Sequence, residues 1–106
     1  MIVLKDALPF LVIDLESALA HIGRGDVVNQ LRQVTIERWT YDEHSDSAYL
    51  HLQYPGAPGA AEAAGEAVSV FEELGINLDT DAQGRLTGMD ILGARAIVAQ
   101  LEDYTS

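Results

Sequence analysis

Three carboxylates surround a glycine-containing turn in the last third of the chain, with a spacing close to that of a calcium loop. If Asp79 is counted as the first loop position, Asp81 is the third, Gly84 the sixth and Asp90 the twelfth. Oxygen ligands at such positions surround Ca²⁺ in an EF-hand. Asp90, however, is shorter than the bidentate Glu that closes such a loop, and Gln83 replaces an acidic or Asn ligand.

The residues that flank this turn favour a β-hairpin. An EF-hand needs a helix on each side, whereas Ile76 and Leu78 alternate with polar residues as in a strand. Gly84 supplies the positive φ that a hairpin loop with a bulge requires. Gly88 predicts a bulge in the return strand, which would turn Leu86 and Met89 to one side. A divalent-cation site at the three aspartates therefore remains only an alternative.

A second cluster, residues 42–46 with the sequence DEHSD, combines acids with His44. Such groups could act as acid and base or as metal ligands. Turn formation explains them without catalysis, because Asp and Ser side chains bond to nearby backbone N–H groups. The other histidines are isolated: His51 lies in a predicted strand, and His21 lies near a helix C-terminus, where it interacts well with the dipole.

The charge of the chain disfavours nucleic acids and anionic membranes as partners. Its 106 residues include 17 Asp and Glu against six Lys and Arg, which gives a formal net charge of −11. Such a field repels phosphate backbones and anionic membranes, so direct nucleic-acid binding is disfavoured and a basic protein partner is attracted. A net charge of this kind most often serves solubility, and that interpretation is favoured over a partner.

The sequence contains no recognisable catalytic set. It has no Cys, so disulfides, thiolate metal sites and cysteine nucleophiles are absent. No serine has a nucleophile-elbow context, and no glycine turn has the spacing of a phosphate loop. The sequence therefore favours a non-enzymatic protein without a cofactor.

The first third of the chain is predicted to be helical. In residues 1–33, apolar residues recur at spacings of three and four, and Gly23 and Gly25 divide them into two helices. Pro9 belongs in or just before the first turn of the first helix. Asp26 is placed as the N-cap of the second.

The period changes to two at Val34 and predicts strands over residues 34–93. Residues 54–66, rich in Pro, Gly and Ala, are predicted to be a flexible connection within them. Residues 94–106 predict a C-terminal helix. The expected fold is a single α+β domain: a small antiparallel sheet, a meander of hairpins, with two N-terminal helices and one C-terminal helix.

The N-terminus is not typical of a targeting or membrane segment. Its apolar run, residues 7–13, is bracketed by Asp6 and Asp14 and is shorter than the roughly 20 residues of a membrane span. We therefore expect a cytoplasmic protein with no membrane partner.

Two segments carry a resemblance to a known family: YDEHSDSAYLHL, residues 41–52, and INLDTDAQGRLTGMDILGA, residues 76–94. They are similar to the domain of unknown function 2283 family, whose pattern is roughly Tyr-Asp-acidic-x-x-Asp-x-x-Tyr followed by an acidic turn and a Gly-Ile-Glu-Ile strand. In this chain the last element is Gly-Met-Asp-Ile. The resemblance implies strands with acidic hairpins, and no catalytic residues or cofactor. Members lie beside small toxin-like proteins, which implies an antitoxin-like or regulatory role.

The aromatic residues offer candidates for an interface. If one sheet face packs on the helices, Trp39, Tyr41, Tyr49 and Phe71 would line the other and meet a second chain. They could equally be core. The leading hypothesis is a small acidic protein that acts by association, as a homo-oligomer or with a basic partner. A cation-binding module, and a small-molecule binder or enzyme with a pocket beside the N-terminal helices, remain alternatives.

Overall fold

A computed structural model describes residues 2–53, 64–70 and 75–106 of the chain. Its strands are β1 Ile2–Val3, β2 Thr35–Asp42, β3 Ser47–Gln53, β4 Ala64–Val70, β5 Ile76–Asp81 and β6 Leu86–Leu92. They form one antiparallel sheet in the order β1-β2-β3-β6-β5-β4. β2 and β3 form one hairpin and β4, β5 and β6 a meander, and the two units join where β3 pairs with β6. The predicted α+β class with an antiparallel sheet is confirmed.

The helices flank the sheet in sequence. They are α1 Leu4–Ala7, α2 Pro9–His21, α3 Gly25–Leu31 and α4 Arg95–Thr105. Three helical segments thus stand where two were predicted, because Leu8 leaves the helical region with φ −131° and ψ 61°. The residue before a proline is disfavoured in the helical conformation, and Pro9 follows directly. None of the described helices is both long and apolar enough to cross a membrane.

Two boundaries correct the sequence prediction. Arg24, and not Asp26, occupies the N-cap position of α3, and the Asp26 carboxylate instead pairs with the Arg24 guanidinium at 3.3 Å. Strand β4 begins at Ala64, so the predicted connection is shorter at its C-terminal end. Residues 54–63 of that connection lie outside the described residues.

The hydrophobic core lies between the helices and one face of the sheet. Every helix contributes fully buried side chains to it, including Leu4, Leu15, Leu31 and Leu101. From the sheet come the inward residues of four strands, including Ile36, Leu50, Leu78 and Met89. All four helices therefore share one core, and the opposite sheet face carries the alternate side chains.

Two of the three β-bulges in the described strands, those in β2 and β6, decide which side chains of these strands reach the core. In β2, Ile36 pairs with Leu52 and Arg38 with His51, so Glu37 is an extra residue. In β6, Gly88 pairs with Asp79 but Leu86 pairs with Thr80, which makes Thr87 the extra residue. The bulge predicted beside Gly88 is thus present, and Leu86 and Met89 are both buried as expected.

Candidate functional site

The sheet face opposite the core is lined by polar side chains from three adjacent strands. Tyr49 lies opposite Asp90, and Asp90 opposite Asn77, so these three share a face. His51 and Asp79 lie on either side of Gly88 on the same face. We call these five side chains, Tyr49, His51, Asn77, Asp79 and Asp90, the polar sheet face.

Tyr49 spans this face across one strand. Its hydroxyl donates a 2.6 Å hydrogen bond to Oδ2 of Asp79, from β3 over β6 to β5. It passes above Gly88, where a Cβ would overlap the Tyr49 hydroxyl and ring. The ring of His51 meets the Tyr49 ring edge-on, with centroids 4.8 Å apart. Because Gly88 has no side chain, the Tyr49 hydroxyl can cross it and reach Asp79.

The surroundings of Tyr49 keep its phenol protonated. Burial raises its pKa, and so do the hydrogen bond to Asp79 and the negative charges of Asp79 and Asp90. A phenol that resists ionisation is a hydrogen-bond donor and a poor nucleophile or base. The chemistry that this arrangement supports is positioning of the Asp79 carboxylate.

We predict that Tyr49 makes the fold sensitive to alkaline pH. An unfolded tyrosine ionises near pH 10. Since its folded pKa is higher, the stability that Tyr49 contributes is complete below about pH 10 and is lost as the pH rises above it. Tyr49→Phe should lower the free energy of unfolding at pH 7, and this deficit should shrink between about pH 9 and 11 in urea titrations.

Tyr104→Phe, at an exposed tyrosine, is the matched control and should change stability little. A Tyr49→Phe deficit that stays constant up to about pH 11 would contradict the assignment.

The acidic turn between β5 and β6 is closed by the carboxylate of Asp81. Oδ1 accepts hydrogen bonds from the backbone N–H groups of Gln83 and Arg85 at 2.8 and 2.9 Å, and Oδ2 accepts the Arg85 Nε–H at 2.7 Å. Gly84 has the expected positive φ, 80°. Burial opposes the charge on Asp81, but these hydrogen bonds and the guanidinium of Arg85 together hold its pKa below the usual value.

The three aspartates of the cation hypothesis are thus engaged in different tasks. Asp79 accepts from Tyr49, Asp81 closes the turn, and Asp90 lies on the polar sheet face beside Tyr49. Strands flank the loop where an EF-hand has helices. Among the residues that the structure describes, no three His, Asp or Glu side chains are grouped to hold a metal ion.

The side chain of Gln30, in α3, binds the same turn between β5 and β6. Its Nε2 donates to the carbonyl of Gly84 and its Oε1 accepts from the N–H of Leu86, both at 2.8 Å. The amide thereby pairs with the hairpin as a neighbouring strand would. No sequence signal identified Gln30, because its partners are more than fifty residues away.

We predict that Gln30→Ala lowers the free energy of unfolding by about 1–2 kcal/mol, because it leaves the partly buried N–H of Leu86 and the more exposed carbonyl of Gly84 without their partner. Chemical denaturation measures this loss. Asn29→Ala, at the exposed neighbouring position of α3, should be neutral. If the two variants are equally stable, the amide does not hold the turn.

The cluster at residues 42–46 forms the β2–β3 turn. Oδ1 of Asp42 accepts the N–H of His44 at 2.9 Å, and the hydroxyl of Tyr41 donates to Oδ1 of Asp46 at 2.7 Å. Asp46 has φ 50°, and its carbonyl accepts the N–H of Ala94 at the start of α4. The carboxylates of Asp42 and Asp46 thus stabilise the turn, as turn chemistry predicts.

The four interface candidates do not share one face. Trp39 lies opposite Leu50 and Tyr41 opposite Ala48, so both pack half-buried against the core. Tyr49 lies on the polar sheet face instead, and Phe71 lies outside the described residues. The expectation that all of them line the uncovered face is therefore wrong for Trp39 and Tyr41, whereas a contact of any of them with another chain stays a prediction.

A shallow depression of about 290 Å³ separates the β2–β3 turn from α4. Carboxylates line it at Glu43, Glu102 and Asp103, together with the Arg95 guanidinium and Tyr41. A net negative lining of this kind disfavours anionic ligands.

An exposed apolar surface lies on the side of α2 that faces away from the core. Phe10 is 74% exposed and Ile13 59% exposed, whereas Leu11 and Leu15 of the same helix are buried. A signal for it was present, because both residues fall off the buried three- and four-residue repeat. We call this surface the outward α2 face.

These features define a class, a small α+β protein with helices on one side of an antiparallel sheet and polar side chains on the other. Residues 38–95, just over half of the chain, match the family described as Protein of unknown function (DUF2283), and the chain belongs to that family. The match runs from β2 to the first residue of α4, so α1, α2 and α3 lie outside it. Comparisons with the curated proteins and with the solved structures give no match.

Proposed function

We propose that this protein acts by association with protein chains, as a homo-oligomer that presents an acidic surface to a basic partner. The observation that carries the proposal is the outward α2 face. Phe10 and Ile13 expose apolar surface to water side by side on one helix. Association would bury that surface and so stabilise the complex.

The distribution of charge supports the second half of the proposal. Of the six basic residues, Arg24, Arg32 and Arg85 form ion pairs within the chain, with Asp26, Glu16 and Asp81. With these pairs set aside, the remaining acids still far outnumber the three remaining basic residues, so the long-range field is negative. An antitoxin-like or regulatory role, in which this surface masks a basic protein, is consistent with that field.

Light scattering at low micromolar concentration tests the association. We expect a mass of at least twice 11.5 kDa. Replacing Phe10 and Ile13 by Ser should weaken the assembly roughly tenfold or more per side chain, given the apolar area that each would bury. Leu92→Ser, at an exposed apolar residue on β6, is the matched control and should leave the mass unchanged. A clean monomer of 11.5 kDa for the unaltered protein would refute the proposal.

A further inference from the structure

The outward α2 face has an ordered arrangement along the helix axis. Phe10, Asp14, Ser17 and His21 follow one another at spacings of four, three and four residues, which places them in one line on a helix. All four are exposed, and so are Ile13 and Ala20, which lie beside the line. The line thus has an apolar N-terminal end, a small centre and an imidazole at its C-terminal end.

The charge of this face selects its occupant. It contains one carboxylate, Asp14, and no Lys or Arg, on a chain with a net charge of −11. A basic protein is drawn to the acidic remainder of the surface instead, and an anionic membrane repels the chain and finds no basic side chain here. A second copy offers the same charge-poor apolar face, so its docking at this face does not bring the most acidic surfaces together.

We infer that two copies of this chain pack their α2 helices antiparallel across a two-fold axis beside Ser17, with Asp14 of each copy opposite His21 of the other. The inference rests on the proposed association and specifies its geometry. Parallel packing would set Asp14 against Asp14. Antiparallel packing gives the carboxylate an imidazole N–H donor at both ends of the contact and also opposes the two helix dipoles.

The small side chain of Ser17 at the midpoint permits close approach. Packed helices have axes about 8–10 Å apart. Because the axis lies midway between positions 14 and 21, just past position 17, the two copies of position 17 are offset by only about 1.5 Å along the helices. With a rise of about 1.5 Å per residue, the two copies of position 21 are separated by about 10 Å along the helices.

The chain has no Cys, so single cysteines report these distances directly. Ser17→Cys, Asp14→Cys and His21→Cys are each placed at an exposed position and oxidised mildly at low micromolar concentration. A disulfide needs Cα atoms within about 7 Å. Ser17→Cys should therefore shift from 11.5 kDa to twice that mass on a non-reducing gel. Asp14→Cys and His21→Cys should each remain monomeric on the gel alone and form the linked species when mixed.

Each outcome decides the geometry. Linkage of every variant with itself would mean parallel helices and would overturn the inference. If light scattering finds an oligomer of the unaltered chain but no variant is linked, the α2 pairing is wrong and the association stands. A monomer in light scattering, with no linkage, refutes both.

Discussion

Leu50→Ala should lower the free energy of unfolding by about 2–5 kcal/mol, the range for removing a fully buried leucine and leaving a cavity. Leu50 has no exposed surface. It lies in β3, an interior strand of the sheet, and is paired with Trp39 of β2 and Met89 of β6. Leu50 belongs to the core that the helices and the sheet share, where the surroundings of a cavity relax only partly. Urea denaturation at neutral pH, with the slope against denaturant unchanged, measures the loss.

This loss is large for a chain of 106 residues, because domains of this size are stabilised by only about 5–15 kcal/mol. Leu92→Ala, which removes the same atoms from a side chain that is 52% exposed, should cost well under half as much. Equal losses for the two variants would show that Leu50 does not lie in the core as described.

Gly88→Ala should destabilise the fold by about 1–3 kcal/mol, the usual cost of forcing a side chain out of a packed position. The added methyl group would occupy the space in which the Tyr49 ring lies, so Tyr49 must move and its hydrogen bond to Asp79 must break. Thermal and urea denaturation measure the loss.

A double-mutant cycle separates this clash from the ordinary effects of the substitution. In a Tyr49→Ala background the obstacle is gone, so Gly88→Ala should cost much less, with a coupling energy of about 1 kcal/mol or more. Gly25→Ala is the matched control, because a Cβ there meets nothing within 4 Å. If Gly88→Ala costs the same in both backgrounds, Tyr49 does not lie over Gly88.

Two of the carboxylates for which the sequence suggested a cation site accept internal hydrogen bonds. The Asp81 carboxylate closes its own turn, and Asp79 receives the hydroxyl of Tyr49. The surface proposed for association, the outward α2 face, lies elsewhere and is outside the segment that matches the family. Association through α2 would therefore be a property that this chain adds to the family sheet.

Much of the local structure was readable from the chain. Alternation of apolar residues predicted the strands of both hairpins, and Gly84 predicted the turn between β5 and β6, because only a few residue types adopt positive φ readily. The two segments that resemble the family lie in these hairpins. Residues in a strand or turn interact with near neighbours, so their types record the local conformation.

Alternation failed where a bulge intervened. The extra residue Glu37 shifts the register of β2, which turns Trp39 and Tyr41 toward the core, while Tyr49 of the next strand faces away from it. No residue type in β2 indicates this shift in register. The face on which an aromatic lies was therefore decided by pairing with β3.

The sequence by itself determined the α+β class, the acidic turn and the elements on either side of it, because these depend on local periodicity and backbone preference. The tertiary structure alone decided that β3 pairs with β6, that Tyr49 crosses Gly88 to reach Asp79, and that Gln30 holds the turn. Each of these joins residues about thirty to fifty-five positions apart. Such contacts depend on how distant elements pack together, and no local pattern encodes them.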